Sequence, residues 1–118
     1  MKIALSLLSL GLVLALTLAE SNISPPVVKV YTAEPVEFGK KNELICYAYD
    51  YHPPRMEISL LKNGVEIPDT KQKDPSFHHN WKYYTMMSAH VHIDSDDKVE
   101  CLVAHNGSPP KRHKLDMF

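Results

Sequence analysis

The chain is poor in what catalysis and nucleic-acid binding require. Glycine occurs four times in 118 residues, once in the apolar start, so a phosphate-cradling loop is hard to build. His-Glu-x-x-His and Gly-x-Ser-x-Gly are both absent, which removes the common zinc-protease and serine-hydrolase readings. Thirteen Lys and Arg against 14 Asp and Glu give a net charge of −1. That leaves no basic field for nucleic acid, and no long run of one sign reads as a tail. Internal repeats and low-complexity segments are missing. There is one tryptophan, and there are two cysteines.

What is present begins with an address. Met1-Lys2 is a short basic start, Ile3 to Ala19 is apolar, and Thr17-Leu18-Ala19 offers small residues for cleavage. This pattern predicts a secretory signal peptide over residues 1–19. The apolar stretch is short for a spanning helix, and no later stretch is apolar enough to span. The remaining chain, residues 20–118, has the length of one domain. Residues 20–26 are polar and end in prolines, so a loose arm is expected before the first strand.

Cys46 and Cys101 lie 55 positions apart. Apolar residues stand two positions away on either side of each: Leu44 and Ala48 around the first, Val99 and Val103 around the second. That is the period of a half-buried strand, so both sulfurs point inward. Two inward cysteines on separate strands predict a bridge between two sheets. Secretion favours a disulfide over metal ligation or nucleophilic chemistry.

The strand reading is uniform in type. Val28 and Val30 open a first strand that Glu34-Pro35 stops. Glu43 to Tyr49 is a second. Asp50-Tyr51-His52-Pro53-Pro54 reads as a turn, because proline removes a donor and restricts its predecessor. Arg55 to Lys62 places Met56, Ile58 and Leu60 on one face, and Asn63-Gly64 turns the chain. Ile67 to Phe77 is irregular, with short edge strands. Trp81 to Ile93 is long, with Thr85, Met87, Ala89 and Val91 on one face. Asp94-Ser95-Asp96-Asp97 is a turn. Lys98 to His105 carries the second cysteine, and Lys111 to Leu115 is last. The sum is an all-β sandwich of about seven strands.

Cys46 followed by Tyr51-His52-Pro53-Pro54, then Cys101-Leu102-Val103-Ala104-His105, resembles the constant-type immunoglobulin family. Val28-Lys29-Val30-Tyr31, Glu37-Phe38-Gly39-Lys40, Leu60-Leu61-Lys62-Asn63-Gly64, Phe77 and Trp81 sharpen the resemblance. They resemble the single-domain light chains of class I major histocompatibility molecules. The resemblance runs from about residue 26 to the end and is looser toward the C-terminus. It implies a seven-stranded antiparallel constant-type sandwich with one inter-sheet disulfide. Three positions depart from the family pattern. Leu60 stands where a tryptophan is usual, Val99 replaces the aromatic of the tyrosine corner, and Leu115 stands where an aromatic is common.

The resemblance also implies a role. Such a chain performs no chemistry and docks without covalent bonds on a class I heavy chain that carries peptide, reaching the cell surface through it. Contact is implied for Trp81, Phe77, Tyr84 and Tyr83, and for Tyr31, His52 and Asp74. A cis peptide is implied at Pro53. Read from the residues alone, Tyr31, Phe77 and Tyr84 could equally be core, Tyr83 favours contact over core, and His52 favours the turn. Trp81 follows His78-His79-Asn80, which places it near a loop tip. Tryptophan and tyrosine dominate interface hot spots.

Other readings are weaker. His90-Val91-His92 places two imidazoles on one strand face and His78-His79 are adjacent, but neither pair gains a third ligand at useful spacing. No metal or cofactor is expected. Asp94 to Asp97 starts like a calcium loop, but Val99 stands where its glycine belongs. Asn22-Ile23-Ser24 and Asn106-Gly107-Ser108 fit the glycosylation pattern. Both precede proline, which hinders recognition, so both are read as unused. The alternative function is a free-standing secreted immunoglobulin-like ligand or metal-binding defence protein.

Overall fold

The computed structural model describes residues 23–77 and 81–115. The expected leader, the site at Asn22 and the His78-His79 pair lie outside the described residues. Among the described residues nine strands are seen: β1 (Val27–Thr32), β2 (Lys40–Tyr51), β3 (Met56–Lys62), β4 (Val65–Glu66), β5 (Lys71–Gln72), β6 (Ser76–Phe77), β7 (Tyr83–Ile93), β8 (Val99–His105) and β9 (Lys111–Lys114). They form two antiparallel sheets. One has the order β1-β2-β7-β5, with β6 also paired to β7; the other has the order β4-β3-β8-β9. The six longer strands, with β5 and β6 counted together as one broken edge strand, make the expected seven. β5 and β6 are fragments bordering the same strand, and β4 is the short return of a turn.

The alternation read in the sequence is the one that builds the core. Leu44, Cys46 and Ala48 face inward from β2, and Met87, Ala89, Val91 and Ile93 from β7. Ile58 and Leu60 from β3 meet them with Val99, Cys101 and Val103 from β8. Leu60, standing in for tryptophan, is fully buried. Removing each such side chain from water contributes about 1.5–3 kcal/mol. Cys46 and Cys101 are joined across the sandwich with Cα atoms 6.2 Å apart. The bond therefore ties β2 of one sheet to β8 of the other.

Three of the strand boundaries differ notably from expectation. β2 begins at Lys40 rather than Glu43, because Lys40, Lys41 and Asn42 continue the ladder on Ile93, His92 and Val91 of β7. At its other end the register shifts between Tyr49 and Tyr51. Asp50 has φ of 60° there, and the inserted residue reverses the side-chain phase. Tyr51 thus belongs to the strand and the core instead of the turn, and it is fully buried. Strand β7 starts at Tyr83, two residues after the expected Trp81.

The far end is pinned by polar contacts. Asn63 (φ 54°) and Gly64 (φ 79°) are both left-handed, the conformation of a two-residue hairpin joining β3 to β4. The Asn63 amide donates to Asp97 Oδ1 at 2.9 Å, and Asn63 Oδ1 accepts from the Lys98 N–H at 2.8 Å. Asp97 also accepts from the Asp94 N–H at 2.8 Å, closing the 94–97 turn. These hydrogen bonds, that of the Asp94 backbone first, hold the Asp97 carboxyl below its ordinary range.

Candidate functional site: an aromatic partner face

Where β7 begins, consecutive side chains point to opposite faces and carry two aromatic groups. Tyr83 faces the inner side. Its ring centroid is 5.0 Å from Phe77 on β6, 6.1 Å from Tyr51 and 6.1 Å from His52, against which it stacks. Phe77 in turn meets Trp81 edge-on at 5.6 Å. The row runs from the fully buried Tyr51 outward to Trp81, which is 74% exposed. Trp81 also holds φ of 66°, a conformation a bulky L-residue reaches only at a cost. An exposed indole on a strained backbone gains the free domain little.

Tyr84 points the other way, onto the outer face of the β1-β2-β7-β5 sheet. It sits 6.4 Å from Tyr47, which stacks on Tyr49 at 5.1 Å. In register, Tyr49 lies between Val27 and Tyr84, and Tyr47 between Lys29 and Met86. The exposed Tyr31 completes the group. Burial, and then the neighbouring Tyr84, Tyr31 and Tyr49, push the Tyr47 phenol above its ordinary pKa of 10.0. Four phenols thus share one electrostatic neighbourhood.

The remaining predicted site residues fall as follows. His52 is half-buried, and its backbone pairs with Ser24 in both directions at 2.9 and 3.0 Å. His52 is therefore a bridge residue whose ring stacks on Tyr83, and the bend itself falls at Pro53-Pro54. The His52-Pro53 peptide is cis. Asp74 is exposed in the segment between β5 and β6. Sequence reasoning missed Tyr47, Tyr49, Val27 and Met86. The signal was available: Ile45, Tyr47 and Tyr49 occupy the outward parity of β2, where a solvated face carries polar residues. Among the described residues no group of three or more His, Cys, Asp and Glu side chains is placed to hold a metal ion. His90 and His92 are exposed on β7.

A disulfide-pinned sandwich with an aromatic flank defines a class before it defines a protein. Residues 28–108 match the immunoglobulin C1-set domain model, so the class is a constant-type immunoglobulin domain. The chain is 75% identical to a beta-2-microglobulin of Xenopus laevis over 118 residues, covering all of both chains. It is 43% identical to that of Ictalurus punctatus over 105 residues, covering 89% of each chain. It is 42% identical to that of Bos taurus over 100 residues, covering 85% of this chain and 83% of the relative. The chain belongs to the beta-2-microglobulin family.

Proposed function

We propose that this chain is the non-covalent light-chain subunit of a class I major histocompatibility heterodimer, stabilising a heavy chain that presents peptide to the immune system. Trp81 carries the reading: it is exposed, strained in its backbone, and supported edge-on by Phe77. A side chain so arranged contributes most when a partner covers it. The tyrosine group on the outer sheet face adds a second aromatic surface at the same end of β7. The partner is the heavy chain, and a subunit that binds only its folded form stabilises it by mass action.

The subunit does no chemistry of its own. Residues 1–19 act as a cleaved leader and residues 20–118 as the mature domain, secreted and held at the cell surface by the heavy chain. Co-purification from surface-labelled cells tests the reading. A membrane-anchored heavy chain recovered with this domain supports it. Recovery of the domain alone from cells that display peptide-loaded class I molecules overturns it.

A further inference from the structure

A cleft of about 300 Å³ opens between the arm before β1 and the hairpin of β8 and β9. Ile23, Pro25 and Pro26 form one wall, Pro109 stands on the other side, and Val103 lines it from the core row of β8. The polar residues of the lining are His105, Ser108, Lys111 and His113. Among the described residues no carboxylate lines it. The clefts near the β1–β2 turn differ, since Glu34 and Glu43 line one and Glu34 and Glu37 another. Lys111 is exposed and has no acidic partner among the described residues.

We propose that this cleft binds a small amphipathic anion, a medium-chain carboxylate whose tail lies against the arm prolines and Val103 and whose head meets Lys111. The volume is that of about ten water molecules at liquid density, which suits a chain of about that many heavy atoms. Each buried methylene strengthens binding about fourfold while the tail still fits. The Lys111 ammonium supplies the charge, and Ser108 supplies a hydroxyl donor beside it. Burial, then Lys111, keeps the His113 pKa below its ordinary value. His113 therefore contributes a neutral ring rather than a second cation. The residues that line the cleft are not those of the aromatic partner face, so occupancy and heavy-chain binding can be measured apart.

The test is a titration of the secreted, disulfide-bonded protein with octanoate, followed by amide chemical shifts. Saturable shifts should appear at Val103, Ser108 and Lys111 and not at His90 or Trp81. Affinity should rise from hexanoate to octanoate and level off in longer chains. Lys111→Glu, at an exposed position, should leave thermal unfolding unchanged and weaken octanoate binding at least tenfold. Ser108→Trp should block the cleft. Octylammonium should not bind the unsubstituted protein. Absence of saturable shifts, equal binding of octylammonium, or octanoate affinity indifferent to Lys111→Glu would each overturn the proposal.

Discussion

The ring of Tyr51 stands edge-on to His105, with centroids 5.6 Å apart and planes at 71°. This contact joins the inward rows of the two sheets at the end that carries Trp81. His105 is fixed in turn, because its Nε2–H donates to the Pro53 carbonyl at 2.9 Å. The buried Tyr51 hydroxyl has no hydrogen-bond partner among the described residues. An unpaired buried hydroxyl costs about 1–3 kcal/mol. Tyr51→Phe keeps the ring contacts and removes that cost. Chemical denaturation should find the variant as stable as the parent or more stable by about 1 kcal/mol. A clear loss of stability would mean that the hydroxyl is satisfied.

The same residue sets an alkaline limit. Burial, then Tyr83, pushes the Tyr51 pKa up to about 12 from 10.0. A pKa raised on folding means that the folded state holds the proton more tightly. The contribution is complete below pH 10 and is lost as pH rises from 10 through about 12. Stability measured across that window should fall in the parent and fall less steeply in Tyr51→Phe. Tyr47, also raised, keeps part of the slope.

His113 works in the opposite sense at acid pH. Burial, then Lys111, lowers its pKa from 6.5. The unfolded chain therefore takes up a proton first, and stability declines as pH falls below 6.5 toward the folded value. His113→Gln should flatten that part of the stability profile. An unchanged profile would place the acid sensitivity elsewhere.

How far the sequence could be read follows from which forces are local. The inward parity of Leu44, Cys46 and Ala48 is a period-two pattern in one strand, so it was visible. The Cys46–Cys101 bond followed from it and from the expected compartment. Tyr51 was misplaced because a single left-handed residue, Asp50, shifts the phase, and aspartate before an aromatic does not announce a bulge. Glu100 shows a different limit. It is 1% exposed on the outer face of β8, with Arg112 Nη1 at 3.3 Å and Lys98 Nζ at 3.8 Å from the same oxygen. Its burial depends on long side chains delivered partly by another strand, which no local pattern encodes. The aromatic surface was half-legible. Trp81 and Phe77 stood out by type, whereas Tyr47 and Tyr49 needed the outward parity of β2 to be asked what covers it.

The disulfide is the largest single covalent constraint on the fold. Cross-linking residues 55 apart removes loop freedom from the unfolded chain worth roughly 4 kcal/mol. The Cys46→Ala, Cys101→Ala double variant should lose about that much, a large share of the 5–15 kcal/mol typical of a domain. Intact-mass measurement of the secreted protein should find two hydrogens fewer than in the reduced chain. Free thiols in folded material would contradict the bridge.

Trp81 separates folding from binding. Both Trp81→Ala and Trp81→Gly remove the exposed indole, and a central aromatic anchor is worth about 2 kcal/mol or more, roughly thirtyfold in affinity. Both variants should therefore bind a peptide-loaded heavy chain at least that much more weakly. They should differ in the free domain. Position 81 has φ of 66°, which alanine tolerates poorly and glycine adopts freely. Trp81→Gly should exceed Trp81→Ala in stability by about 1 kcal/mol while binding no better. His90→Ala, at an exposed position on β7 away from both aromatic groups, should change neither quantity. The paired measurement is thermal unfolding of the free domain and heavy-chain affinity of the folded fraction. If Trp81→Ala unfolds the domain yet its folded fraction binds normally, Trp81 serves the fold and the partner face must be sought among Tyr31, Tyr47, Tyr49 and Tyr84 alone.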